Sequence, residues 1–232
     1  MGQNRSSAVM QQRAEPHDSL DDFPTPPWAT RALCEALDGI GFAPRGVVRE
    51  PAANRGHMVR PLAEAFDRVE ASDIFDYGAG YPVRDYLFGP DPDPVDWTIT
   101  NPPFRLAEQF IARARATSRE GCAFILRSAF LEGVGRYERL FADAPPSYVF
   151  QFTERVVMHK GKLSAKGSTA TAYCWLVWLA DHLCHSDWIG PNGSSHIHWI
   201  GPCRKRLERP GDYPGKPDEG RLGVAGDEET LL

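Results

Sequence analysis

The spacing of apolar positions changes along the chain and predicts alternating strands and helices. Residues 47–50 (VVRE) form a short β-branched run and read as a strand. In residues 57–66, Met58, Val59, Leu62, Ala63 and Phe66 recur at helical spacing, so one face turns inward. Residues 69–72 (VEAS) and 97–100 (WTIT) read as further strands. Leu106, Phe110, Ile111 and Ala114 share one face of a second helix. Residues 122–126 (CAFIL) are apolar throughout, as a parallel strand buried on both faces must be. Residues 135–141 look helical, and residues 148–152 and 173–179 are late strands. No clear helix separates those two, which predicts an antiparallel pair. The whole predicts an α/β, doubly wound sheet, mostly parallel with a late antiparallel strand, whose ligands sit at the strand C-terminal ends. The tetrapeptide Trp-Ile-Gly-Pro occurs at 188–191 and again at 199–202, which suggests a small hairpin around Asn192-Gly193.

The remaining chain sets the boundaries. Residues 1–21 are polar and aperiodic and read as a flexible tail. Residues 203–232 are rich in Gly, Pro and charge and read as a mostly disordered one. One domain, residues 22–202, is left between them. Hydrophobic residues at 42% and charged residues at 25% of the 232 exclude wholesale disorder. The longest strongly apolar run, around residues 174–180, falls short of the roughly 20 residues that a membrane span needs. The N-terminus has no apolar block behind a basic start, so no secretory signal is expected. Two of the five cysteines, Cys122 and Cys174, lie in strand-like runs, which predicts buried reduced thiols and a cytoplasmic protein. The net charge of −5 argues against a partner held by bulk positive charge and leaves room for a local basic patch.

The sharpest chemical feature is Asn101-Pro102-Pro103-Phe104, directly after the strand that ends at Thr100. Two prolines donate no backbone hydrogen bond and fix φ, so they end the strand in a stiff corner. Asn101 then offers an amide oxygen at a fixed position, and the carbonyl of Pro102 offers a second acceptor. Two acceptors on one amino group draw its lone pair out of conjugation and make a poor nucleophile better. Phe104 supplies a flat face on which a base can stack. Taken alone, the same four residues also fit a plain strand-ending turn with a capping Asn.

A second site precursor lies upstream. The strand ending at Glu50 runs into Pro51-Ala52-Ala53-Asn54-Arg55-Gly56 and then a helix, an arrangement that lets backbone approach a ligand closely. Asn54 stands where glycine is expected, and Asn is among the few other residues that tolerate left-handed geometry. Asp73 follows the second strand about 20 residues later, where an acid accepts from ribose hydroxyls in dinucleotide folds. Asp85 in the next connection could accept from an adenine amino group, with Leu87 packed on the ring. A turn-starting Asp and an ordinary surface Asp are the plainer readings of these two. Phe23-Pro24-Thr25-Pro26-Pro27 precedes another helix, with Thr25 suited to the N-cap and Pro26 to the first helical position.

In order and spacing these residues resemble the S-adenosylmethionine-dependent amino-methyltransferases, and within them the small phage and prophage adenine DNA methyltransferases. The resemblance covers about residues 22–180 and is similar to their gamma arrangement, with the catalytic motif after the cofactor loop. It implies a Rossmann-like class I fold that binds S-adenosylmethionine. It implies that Phe23, Thr25 and Pro26 contact the methionine part, and that Glu50, Pro51, Ala52 and Gly56 belong to the cofactor loop. By the same resemblance Asp73 and Ile74 hold the ribose side, Asp85 and Tyr86 contact the adenine, and Asn101 meets cofactor and target. Asn101, Pro102, Pro103 and Phe104 match the catalytic tetrapeptide, and Asn at its head favours adenine over cytosine. No sizeable target-recognition domain is visible. An RNA adenine, a protein glutamine, or a non-catalytic nucleic-acid-binding module with a degenerate cofactor loop are the alternatives.

Arg155, Lys160, Lys162 and Lys166 mark a basic, glycine-bearing loop between two strands. It is expected to grip DNA phosphates, although a solvated hairpin loop has the same composition. Cys184, His185, His196, His198 and Cys203 do not have the spacing of a compact zinc finger, and no metal is expected.

Overall fold

The computed structural model describes residues 21–183 and 194–213. Its strands are β1 (Val47–Glu50), β2 (Arg68–Ala71), β3 (Val95–Thr100), β4 (Ser118–Arg127), β5 (Tyr148–Phe152), β6 (Tyr173–Leu179) and β7 (His196–Ile200). They form one sheet in the order β2-β1-β3-β4-β6-β5-β7. The pairs β1–β2, β1–β3, β3–β4 and β5–β7 are parallel, whereas β6 runs antiparallel to both β4 and β5. The late antiparallel pair expected from the sequence is therefore present, and β6 is the one strand of reversed direction in this sheet.

Helices cover both faces, and the alternation within the strands shows why. In β4, Ala123 and Ile125 face one core with Val48, Trp97, Ile99, Trp175 and Val177. That core packs against α1 (Pro27–Gly39), through Trp28, Leu33 and Leu37, and against α2 (Val59–Ala63). Cys122, Phe124 and Leu126 face the other way, with Cys174, Leu176 and Trp178 of β6. There they meet Phe110, Ile111 and Ala114 of α3 (Ala107–Thr117) and Leu140 of the turn that follows α4 (Val134–Arg136). Each fully buried Trp97 or Phe124 side chain contributes about 1.5–3 kcal/mol. A strand with both faces apolar is the expected signature of this three-layer arrangement. Cys34, Cys122, Cys174 and Cys203 are all buried and unpaired. Among the described residues no helix is long and apolar enough to cross a membrane.

Three expectations change. First, Trp199-Ile200 belongs to β7, which pairs in parallel with β5, from Tyr148 with His196 to Phe152 with Ile200. It is a strand of the main sheet, and the other proposed arm (188–191), the Asn192-Gly193 turn, Cys184 and His185 lie outside the described residues. Second, the packed chain runs past residue 202. Arg31 in α1 holds both carboxylate oxygens of Asp212, at 2.7 and 2.9 Å, and the carbonyl of Leu207 at 2.8 Å. Leu207, at the end of α5 (Arg204–Leu207), is buried against the first core. One buried arginine and one leucine anchor a segment whose composition reads as a tail. Third, Thr25 does not cap α1. The helix starts one residue later than expected, its N-cap is Pro26, and the Thr25 hydroxyl is engaged elsewhere.

Candidate active site

β1 and β3 are neighbours and run the same way, so the turn after Glu50 and the corner after Thr100 emerge side by side. They line a single cavity of about 340 Å³. Pro51, Ala52, Asp73, Ile74, Asp85, Tyr86, Asn101, Pro103, Phe23 and Thr25 all reach its wall. Pro26, Glu50, Gly56, Pro102 and Phe104 do not line it.

The turn after β1 depends on two left-handed positions. Asn54 has φ of 50°, and Gly56 has φ of 80°. Asn54 is the one non-glycine residue with positive φ among the described residues. Its peptide N–H donates to Asp73 Oδ2 at 2.8 Å, its Nδ2 donates to Asp22 Oδ1 at 2.7 Å, and its Oδ1 accepts from the Arg55 N–H at 2.7 Å. The side chain thus supplies local hydrogen bonds that a glycine lacks, and these offset the left-handed strain.

Asp73 also accepts from the Phe75 N–H at 3.0 Å, so each carboxylate oxygen has one backbone donor and a spare lone pair. Burial pushes its pKa up, against those amide contacts. Asp85 is exposed and accepts from the Leu87 N–H at 2.9 Å. Tyr86 is mostly core, its ring 5.0 Å from that of Phe110.

Glu50 lies beneath the cavity. It is fully buried, and its Oε1 accepts from the Thr100 hydroxyl at 2.6 Å and from the Ala52 N–H at 3.0 Å. Its Oε2 has no partner. Burial pushes its pKa up to about 8, so near neutral pH it is largely a protonated acid.

Asn101 Nδ2 donates to the carbonyl of Phe23 at 2.8 Å and to Thr25 Oγ1 at 3.0 Å. These two bonds fix the amide orientation and leave Oδ1 without a protein donor. The FPTP segment is therefore the brace that sets the asparagine. Asp21 and Asp22 extend that brace. Asp21 Oδ2 accepts from the Phe104 N–H at 2.6 Å, and Asp22 pairs with Arg55 at 3.0 Å. The sequence reading left Asp21 in a flexible tail, and it lines the cavity. The acidic pair directly before the FPTP segment was the signal available.

His57 is a further wall residue that sequence reasoning passed over. Burial, with Arg60 and Arg55 nearby, pushes its pKa down to about 4. Arg60 lies 3.3 Å from Nδ1, and a guanidinium only donates, so Nδ1 accepts and Nε2 carries the proton.

The basic loop borders the same corner. Arg155, Lys160, Lys162 and Lys166 are exposed, whereas Val156, Val157 and Met158 are buried. Met158 Sδ lies 3.8 Å from Asn101 Nδ2, and the Gly161 N–H donates to the Asp22 carbonyl at 2.7 Å. His196 and His198 lie elsewhere, on β7, each ring centroid 5.5 Å from that of Tyr148.

No family model matches the chain, and no curated protein matches it by sequence. Solved structures do. A putative class I S-adenosylmethionine-dependent methyltransferase from Listeria monocytogenes superposes with a TM-score of 0.57 at 12% identity, over 78% of this chain and 67% of that one. The fold is that of a class I methyltransferase. A putative RNA methyltransferase from Pyrococcus horikoshii superposes with a TM-score of 0.54 at 16% identity, over 74% of this chain and 93% of that one. At these identities the likeness concerns the methyltransferase fold, and the chemistry must be argued from the cavity itself.

Proposed function

We propose that this chain transfers a methyl group from S-adenosylmethionine to the exocyclic amino group of adenine in DNA. The observation that carries this reading is the orientation of Asn101. Both of its amide hydrogens point at Phe23 and Thr25, so the atom it offers a ligand is an acceptor. The Pro102 carbonyl, next along the same corner and set back from the cavity wall, also lacks a donor among the described residues. A pair of acceptors suits an –NH₂ group, which has two hydrogens to give. Holding both hydrogens turns the nitrogen lone pair out of the ring plane and toward an electrophile. Positioning of this kind supplies about 7–11 kcal/mol of rate enhancement without a titrating base.

The cavity suits the cofactor. Asp21, Asp73 and Asp85 give it an acidic lining, and His57 is neutral at pH 7, so a cationic ligand is favoured. Asp73 has lone pairs left for ribose hydroxyls, and Asp85 on the same cavity wall would accept from an adenine amine, with Ile74 and Leu87 as apolar wall. S-adenosylmethionine supplies the electrophilic methyl on its sulfonium. Phe23 and Thr25 would hold the amino-acid end, and Glu50 supports the loop from below.

A nucleic-acid substrate is favoured over a protein one by the exposed cations of the 155–166 loop at the edge of the corner, and DNA over RNA rests on the resemblance carried by Asn101 to Phe104. A duplex adenine must leave the stack to reach the pocket, at a cost of a few kcal/mol. The test is incubation with tritiated cofactor and, separately, duplex DNA, single-stranded DNA, RNA and protein. Label recovered as N6-methyladenine from DNA is expected. Label confined to RNA or protein would move the reading to that substrate, and no transfer to any of them would overturn it.

A further inference from the structure

The Phe104 ring offers the stacking surface beside the acceptor pair, and in the structure a side chain already lies on it. The Arg127 guanidinium carbon stands 4.2 Å over the ring centroid. Arg127 is the last residue of β4, the strand beside β3, so the sheet places it next to the 101–104 corner. It is exposed, and no carboxylate among the described residues lies within ion-pair distance of it. Arg60, Arg84, Arg105, Arg115 and Arg155 share that lack, and what sets Arg127 apart is its seat on a ring. Three other arginines lie over aromatic rings, Arg55 on Tyr77, Arg113 on Tyr86 and Arg136 on Phe130, and each of those is also paired with an acid. Its polar neighbour in the protein is the Tyr173 hydroxyl, a neutral group, so Arg127 keeps a full positive charge at the pocket corner with no acid to balance it, and an anionic ligand would supply that balance.

We infer that Arg127 is a substrate-positioning residue with two positions. Without substrate it covers the Phe104 ring. When a base stacks on that ring, the guanidinium is displaced and pairs with the backbone phosphate beside the extruded nucleotide. A guanidinium that itself stays in solvent is held over a ring more weakly than a base stacked on an aromatic, so the exchange runs in the right direction. The guanidinium fork matches a phosphate in two parallel hydrogen bonds. Arg127 thereby links entry of the base to capture of its phosphate. This inference rests on the nucleic-acid reading above.

The test compares wild type, Arg127→Ala and Arg127→Lys on duplex DNA between 50 and 200 mM salt. Cofactor affinity and melting temperature are measured alongside. For Arg127→Ala, KM for DNA should rise by about 10-fold at 150 mM salt, the value of one charge-assisted contact. The slope of log KM against log salt should fall by about 0.9, the value of one phosphate contact. Cofactor affinity and melting temperature should stay unchanged. Arg127→Lys should restore the slope, since it keeps the charge. A loss of turnover with unchanged salt slope, or no change in KM, overturns the phosphate-pairing role. If wild type labels no nucleic acid at all, the substrate reading itself fails, and the role of Arg127 falls with it.

Discussion

The Thr100 hydroxyl donates a 2.6 Å hydrogen bond to Glu50 Oε1, and both side chains are fully buried. This bond ties the strand that runs into the 51–56 turn to the strand that runs into Asn101. The two loops therefore hold a fixed separation below the floor of the cavity. Neither residue touches the cavity, so the bond acts on geometry.

The unpartnered Oε2 of Glu50 makes stability depend on pH. Its ordinary pKa of 4.5 rises to about 8 in the folded chain through burial, so folding takes up a proton between these values. The contribution is fully present below pH 4.5 and is lost as pH rises through 8. His57 runs the other way. Its pKa falls from 6.5 to about 4, so its contribution is present above pH 6.5 and is lost as pH falls through 4. The two oppose each other between 4.5 and 6.5, and the clean window is pH 6.5 to 8. Across it the wild-type protein should lose about 2 kcal/mol relative to Glu50→Gln, which keeps a neutral side chain. That is several degrees of melting temperature in a chain of this size. Melting curves of the two proteins that stay parallel from pH 6.5 to 8 would show that Glu50 is not protonated in the fold.

Asn101→Ala should abolish methyl transfer and leave the cofactor dissociation constant within about threefold. The change also removes two hydrogen bonds to the brace, worth about 1 kcal/mol each. Thr25→Val separates the two effects, because it removes only the hydroxyl acceptor and leaves Oδ1 in place. It should lower kcat by about tenfold, since loosened positioning is felt without loss of the acceptor. Equal losses from both variants would show that the brace, and not the Asn101 oxygen, is what matters. Near-wild-type turnover of Asn101→Ala would remove Asn101 from the chemistry.

How far the sequence revealed this site follows from what local pattern can express. β5 and β6 are legible to the residue because their apolar runs are bounded by breaks in polarity, and β1 because of its β-branched Val47-Val48 pair. The Asn101 corner was legible because two prolines have a fixed conformational meaning. β7 was not, since His196, Ile197, His198 and Trp199 are all exposed and carry no burial pattern. What holds that strand is backbone pairing with β5 across a long sequence separation. The same holds for Asp21 and Asp22, whose partners Phe104, Asn54 and Arg55 are far along the chain. Thr25 was misread for a related reason. Capping is its local preference, but a distant amide claimed its hydroxyl.

The 155–166 loop should contribute phosphate contacts without taking part in transfer. Replacing Lys160 and Lys162 with Gln should reduce the salt slope of DNA binding by about 1.8, or two contacts. The kcat at saturating DNA should hold, because the loop's link to Asn101 runs through Met158 and not through these cations. Anisotropy with a labelled duplex at four salt concentrations measures the slope. An unchanged slope would rule out this loop as a phosphate contact.

Asn54 tests whether the turn tolerates the residue or needs it. Left-handed backbone costs an ordinary L-residue about 1–2 kcal/mol, and Asn54 sits at φ of 50°. Glycine would remove that cost and forfeit the bonds to Asp22 and Arg55, so the terms nearly cancel. Asn54→Gly should therefore shift stability by less than about 1 kcal/mol. Asn54→Val forfeits the same bonds and adds β-branched strain, so it should cost more than about 2 kcal/mol. The peptide N–H of residue 54 holds Asp73 in both cases, but only an unstrained turn keeps it at 2.8 Å. Saturating S-adenosylmethionine, at about 100 times its dissociation constant, should stabilise wild type and Asn54→Gly by about 2.7 kcal/mol. It should stabilise Asn54→Val by clearly less. If valine is accepted with full stability and a full cofactor shift, the left-handed turn does not position Asp73, and the cofactor side of the cavity needs another account.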